Sequence, residues 1–311
     1  LCVTVYAIRK FQKATRIQTN KPSKPWRPCH GFEHMRAEDL DYDRTVVVAG
    51  DDSTPEEVLK DMTHSCVSCA IVHSHATAVA IVDVTNVTLF MLRPDVNGLV
   101  DEYPSIRHNT FVSGKEHMPE LIRALCSTRY VAIRNSNGSV GILSQGAIVR
   151  QMMRNQKEYA KFADTMHANK LGLCEDVITY LADSNARDAF RLMLQNDITS
   201  IPLTDRAGVV LAVMSMSDIK LFAHIPAASR TETLTLSAIE FLRRSRRLVA
   251  NMSQRKHREV GDIVTFEYDE PLGIVLQRMI DCNVHHIYSI LDGRAVGVLS
   301  FVDVLRHFFY C

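Results

Sequence analysis

The sequence predicts an α/β protein built from four β-α-β-β-α units arranged as two tandem pairs. Three observations carry this: an apolar helical stripe that recurs four times, two short apolar runs after each stripe, and a polar exit from the last run into a further helix. From the first stripe residue to the Gly or Ala of the last strand the separations are about 25, 23, 26 and 25 residues. Agreement of stripe, hairpin and exit in four places marks an internal repeat.

Residues 1–36 form an N-terminal arm. Its basic part carries Pro22, Pro25 and Pro28, holds the only tryptophan, Trp26, and has no clean period. It reads as an irregular segment that packs on the body or docks on a partner. Repeat one spans residues 37–95. Val46-Val-Val48 is its entry strand, and Pro55, Val58, Leu59 and Met62 make an i, i+3, i+4, i+7 stripe. Ala70-Ile-Val72 and Val79-Ala-Ile-Val82 are its hairpin strands, and Asp83-Val-Thr-Asn86 is its exit. Repeat two, residues 104–156, has the stripe Met118, Leu121, Ile122, Leu125 and Cys126. Its strands Tyr130-Val-Ala-Ile133 and Val140-Gly-Ile-Leu143 are joined through Asn137-Gly138, and Ser144 begins the exit.

Repeat three, residues 170–225, enters on Val177-Ile-Thr-Tyr-Leu181 and continues with Ala186, Ala189, Phe190, Met193 and Leu194. Ile201-Pro-Leu203 and Val209-Val-Leu-Ala-Val-Met214 turn at Ala207-Gly208, and the exit is Ser215-Met-Ser-Asp218. A linker over 226–256 holds a helix near 237–250 that carries Arg243, Arg244, Arg246 and Arg247, with Lys256, His257 and Arg258 beyond it. With no aromatics interleaved, this charge reads as a solvated helix face rather than a nucleic-acid patch. Repeat four, residues 257–311, is the most complete. Asp262-Ile-Val-Thr-Phe266 is its entry strand, Asp269-Glu270-Pro271 opens a helix with Pro at the first helical position, and Leu272, Val275, Leu276, Met279 and Ile280 form the stripe. Asp292-Gly293 joins the last two strands, a strong hairpin signal. Each unit is too small to bury its own faces, so consecutive units are expected to share a core.

The 311 residues, 46% hydrophobic with a net charge of +1, describe a globular chain with a sizeable core and no electrostatic call for nucleic acid or acidic lipid. Eight cysteines in this length read as reduced thiols of an intracellular protein, cytoplasmic or also nuclear, rather than a disulfide scaffold. No apolar run approaches the roughly 20 residues of a membrane span. The chain starts at Leu1 rather than Met, which leaves the native N-terminus open.

Units ending in a Gly-apolar-apolar-Ser-x-x-Asp exit, as in Gly297-Val-Leu-Ser300-Phe-Val-Asp303, resemble cystathionine-β-synthase (CBS) domains. Four of them in two pairs, a helical insert with Leu234-Thr-Leu-Ser-Ala-Ile239 before the fourth, and Val284-His285-His286-Ile287 resemble the gamma subunit of the AMP-activated protein kinase family. That resemblance implies a disc of two pairs with AMP, ADP and ATP competing for sites around its centre. It implies no catalytic chemistry and no cofactor, and as partners the catalytic (alpha) and scaffold (beta) kinase subunits. The other reading is a tandem CBS adaptor that regulates another enzyme or transporter with S-adenosylmethionine, a different nucleotide, or no ligand.

A nucleotide site needs a group for the paired ribose hydroxyls, a slot for adenine and cations for phosphate. A carboxylate suits the ribose because it accepts from both hydroxyls at once. The resemblance gives this role to Asp218 and Asp303, beside their exit serines Ser215 and Ser300. The same Ser-x-x-Asp spacing is also that of a capping box, a purely structural use. The second exit has Ala147 in the acidic place, and the first has Asn86, which can bond a hydroxyl but carries no charge. For phosphate, Arg129 and His285 match family cations, His286 stands where Arg is usual, and Ser68 replaces a basic residue. Imidazole is charged at neutral pH only if its pKa is raised. The cationic centre is therefore thinner than the family's: affinity is lower, other cations compensate, or the ligand differs. The resemblance places adenine at Ile178, Thr199, Ser200, Ile201 and Pro202 in repeat three and at Ile263, Val264 and Thr265 in repeat four, residues equally expected as ordinary core.

Cys66 and Cys69 with His73 and His75 have the residue types of a zinc site. Cys69 falls on a predicted strand that sends neighbours to opposite faces, and the histidines fall in a hairpin turn, so metal binding is not expected. No phosphate-binding glycine loop and no nucleophile motif is present.

Overall fold

The computed structural model describes residues 35–40, 42, 46–50, 52–74, 77–92, 111–154, 168, 176–252 and 259–310. Most of the arm with Trp26, together with His75, Lys256, His257 and Arg258, lies outside the described residues.

Repeat one comprises β1 (Val48–Gly50), α1 (Pro55–His64), β2 (Cys69–Ser74), β3 (Thr77–Asp83) and α2 (Val84–Leu92). Repeat two follows the same order, with β4 (Phe111–Ser113), α3 (Met118–Ser127), β5 (Tyr130–Arg134), β6 (Val140–Ser144) and α4 (Gln145–Arg154). Repeat three has β7 (Tyr180–Leu181), α5 (Ala186–Gln195), β8 (Ser200–Thr204) and β9 (Val210–Ser215), and exits through a 3-10 helix, Met216–Ala223. The linker contributes α6 (Ala227–Leu234) and α7 (Ala238–Met252), and repeat four has α8 (Leu272–Asp281), β10 (His286–Leu291), β11 (Arg294–Ser300) and α9 (Phe301–Tyr310). In the first three sheets the entry strand pairs parallel to the first hairpin strand, which pairs antiparallel to the second.

The entry strands are shorter than the sequence pattern predicts. β1 begins at Val48 instead of Val46, β7 is two residues long, and residues 262–266 reduce to one bridge between Thr265 and Tyr288. Val46, Val47, Ile178 and Val264 still pack against the cores, with only the Val47 and Val264 carbonyls taking bonds from the next strand, so burial extends the apolar pattern beyond the strands. Pro271 caps α8 rather than opening it, and α6 was not visible in the apolar pattern.

Consecutive repeats meet, but not through a shared helical core. The core that contains Val58, Leu59, Met62 and Phe90 of repeat one also contains Phe190, Met193, Ile219 and Phe222 of repeat three, plus Phe241 and Leu242 of α7. A second core joins Leu121, Leu125 and Ile148 of repeat two to Leu276, Leu299 and Leu305 of repeat four. Strand alternation explains the arrangement. Ala70 and Val72 of β2 face the helices, while Cys69 and Ile71 face a smaller cluster with Ala132 and Ile142 of repeat two. Each central strand is apolar on both faces because each face has a different neighbour. Repeats three and four also touch at their hairpins, where Val210 N–H donates to the Gly293 carbonyl at 2.7 Å.

Candidate functional site

The third and fourth exits form capping boxes. At the fourth, Asp303 Oδ2 accepts from the Ser300 N–H at 2.9 Å and its hydroxyl at 2.5 Å. Its Oδ1 takes no hydrogen bond from the described residues. At the third, Asp218 Oδ2 accepts from the Ser215 N–H at 2.7 Å and its hydroxyl at 3.1 Å. Ser245 of α7 donates its hydroxyl toward Asp218 Oδ1 at 3.4 Å and the Asp218 carbonyl at 3.2 Å. Burial raises the Asp218 pKa, and Arg246 with the Ser215 and Ser245 bonds oppose that rise. The first exit is inverted: Asp83 caps Thr85 and Asn86 through Oδ1, and Asn86 Oδ1 accepts from the Asp83 N–H at 2.9 Å. At the second only Ala147 N–H to Ser144 Oγ remains, at 3.2 Å.

Cations from several repeats gather beside these exits. Arg129 Nη2 donates to Asp197 of repeat three at 2.8 Å, and its Nη1 lies 3.6 Å from Asp83 of repeat one. Lys220, two residues past Asp218, donates to the Val67 carbonyl at 2.7 Å and to Ser68 Oγ at 3.3 Å. Burial lowers the Lys220 pKa to about 8, against the opposing pull of Cys66, Cys69 and Asp218. Arg150 of α4 reaches the fourth exit: a Cβ on Gly146 would meet the Phe301 ring at 3.1 Å and Arg150 Nη1 at 3.5 Å. The His285 ring stands 5.8 Å from Phe301.

Both histidines are neutral at pH 7. Burial first, then Arg150 and Lys220, lower the His285 pKa; burial, His285 and Arg129 bring His286 down to about 3. His285 nevertheless keeps solvent exposure. The permanent or dominant charge of this centre therefore rests on Arg129, Arg150 and Lys220. The apolar pattern did not single out Lys220 and Arg150. Their signal is a cation in an apolar stretch past the exit, as in Ala147-Ile-Val-Arg150 and Asp218-Ile-Lys220-Leu-Phe222.

The adenine-slot residues are dispersed. Ile201 is fully buried in the core of repeats one and three, Pro202 is buried in β8, and Ile178 packs half-buried on the same core. The Thr199 carbonyl accepts the Met216 N–H at 2.9 Å. The Ser200 hydroxyl bonds the Tyr288 hydroxyl at 2.6 Å, which ties repeat three to repeat four. Ile263, Val264 and Thr265 line an open cleft of about 700 Å³ whose other walls include Glu267, Glu270, Arg278 and Cys282, but neither Asp303 nor the clustered cations. Of the zinc candidates, Cys66 is exposed and Cys69 buried.

Residues 173–224 and 258–310 match the model of the CBS domain. These are the two repeats that keep Ser-x-x-Asp. No curated protein matches the chain. Among solved structures, a Methanocaldococcus jannaschii protein proposed as an archaeal homologue of g-AMPK is similar with a TM-score of 0.69 at 15% identity, covering 88% of this chain and 100% of that one. An uncharacterized conserved protein of Pyrococcus horikoshii is similar with a TM-score of 0.54 at 15% identity, with the same coverage of 88% and 100%. Repeats three and four thus match the CBS-domain model by sequence, and repeats one and two follow the same order of elements.

Proposed function

We propose that the chain is a non-catalytic regulatory subunit that binds adenine nucleotides and passes their occupancy to a protein kinase. One observation carries the binding half. Cations stand at both exits whose carboxylate suits a ribose: Lys220 feels the charge of Asp218, and Arg150 and the Phe301 ring of the fourth exit flank the same glycine, Gly146. A ribose on the carboxylate and a phosphate on the cation is the division of labour a nucleotide requires. The kinase half draws its support from the archaeal protein proposed as a homologue of g-AMPK, whose whole length aligns. Catalytic and scaffold kinase subunits are the partners this reading names. No helix among the described residues is long and apolar enough to cross a membrane.

Thermal-shift and calorimetric titration with AMP, ADP and ATP test the binding. A ligand at a hundredfold excess over Kd stabilises the fold by about 2.7 kcal/mol. A folded protein that responds to none of the three ends this reading. A response to S-adenosylmethionine instead moves the chain to the adaptor class. Affinity purification then decides the partner: recovery of catalytic and scaffold kinase subunits supports the kinase reading, and their absence rejects it.

A further inference from the structure

Repeat one lacks a cation at Ser68, yet its loop is not left without one. Lys220 crosses from repeat three and places its ammonium on the Val67 carbonyl and the Ser68 hydroxyl. An ammonium has three donors, and these two contacts leave one to spare. Arg129, by contrast, is held by Asp83 and Asp197. Arg150 has no acidic partner among the described residues, and the two histidines are neutral.

We propose that Lys220 is the phosphate-binding cation of repeat one, supplied in trans by repeat three, and that with Arg150 it fits the centre to a nucleoside monophosphate. This deepens the nucleotide reading above and rests on it. Two cations without carboxylate partners balance the dianion of a phosphomonoester. A triphosphate brings more charge than they neutralise, while Asp83 and Asp197 already hold Arg129 and Asp218 bears on Lys220. The ammonium reaches the loop of one repeat from the exit helix of another, so phosphate bound there joins repeats one and three at the face where their helical core already meets. Charge from Cys66, Cys69 and Asp218 bears on Lys220, and burial pulls its pKa down. Phosphate affinity should therefore weaken above about pH 8, where Arg-based binding would not.

The test is calorimetry at pH 7 on the full chain with AMP, ATP, adenosine and inorganic pyrophosphate, comparing wild type, K220M and K220M/S68R. The expected result is that K220M weakens AMP about tenfold or more and leaves adenosine unchanged. S68R, which returns a cation to repeat one, should recover part of the AMP affinity in the K220M background. AMP should bind wild type more tightly than ATP. Equal AMP affinity in wild type and K220M overturns the proposal while the nucleotide reading stands. If wild type binds no nucleotide, that reading fails and pyrophosphate decides: binding lost in K220M upholds the Lys220 site, and absent or unchanged binding overturns it. Should K220M not fold, reductive methylation of wild type followed by mass spectrometry gives the answer. Protection of the Lys220 amine by AMP or pyrophosphate supports the site, and equal labelling rejects it.

Discussion

At the scale of the residue, one side chain serves the fold and carries the ribose role proposed above. Asp218 is half of a capping box, and burial raises its pKa. An acid whose folded pKa is raised binds its proton more tightly in the native state. Ionised at neutral pH, it costs stability, and that cost is relieved as pH falls toward the raised value. Asn accepts the same cap bonds without charge. D218N is therefore expected to melt at or above the wild-type temperature at pH 7, with the difference shrinking as pH is lowered. The same variant should lose about tenfold or more in nucleotide affinity, because a neutral amide replaces the charged acceptor. Calorimetric melts between pH 4 and 7 and an AMP titration check both halves; a large loss of stability at pH 7 would contradict the first. The double use also explains what was legible. Ser-x-x-Asp is a local pattern, so Asp218 and Asp303 could be read from the chain. The role proposed for Lys220 and Arg150 depends on which repeats become neighbours, and locally each shows only as a cation in an apolar stretch past its exit.

At the scale of the element, the turns were the clearest text. Asp292 and Gly293 both adopt left-handed backbone, with φ of 50° and 76°, as the Asp-Gly signal requires. Gly138 and Gly208 do the same at 84° and 85°. Their surroundings differ. A Cβ on Gly138 meets nothing within 4 Å, whereas one on Gly293 lies 3.1 Å from Val209 Cγ1 in the neighbouring repeat. G138A should cost about 1 kcal/mol from backbone strain alone. G293A should cost more, about 2 kcal/mol, because the hairpin must also shift against Val209 and the Val210-Gly293 bond. Urea denaturation of the two variants compares them, and equal losses would remove the inter-repeat contribution. Entry strands were the least legible elements. They are held mainly by burial of residues such as Val47 and Val264, and apolar content does not say how many ladder bonds accompany it.

At the scale of the whole molecule, the repeat count came from the sequence and the partnership of the repeats did not. An apolar run such as Ala70-Ile-Val72 says that both strand faces are covered; it cannot say by which neighbour. The structure answers with helical cores across the pairs and sheet contacts within them. This has a consequence for folding. Cutting the chain between repeats two and three would divide both large cores and strip the repeat-one side from the cluster of Phe190, Phe222 and Phe241, whose rings meet edge-on at 5.4 and 5.8 Å. Phe190 and Phe222 would lose the covering of Leu59 and Met62, and Leu121 and Leu125 that of Leu276 and Leu305. Several fully buried side chains exposed at about 1.5–3 kcal/mol each exceed the 5–15 kcal/mol that holds a domain together. The intact chain should therefore melt in one cooperative transition. Fragments of residues 1–165 and 166–311 should each aggregate or fail to melt sharply alone, and should recover a cooperative melt when mixed or co-expressed. Two separate transitions in the intact chain, or sharp monomeric melting of either fragment, would show that consecutive repeats are self-sufficient. The coupling also bears on the proposed phosphate site, because a ligand on Lys220 would sit on a core that neither consecutive pair owns, and its binding free energy would be felt by both pairs at once.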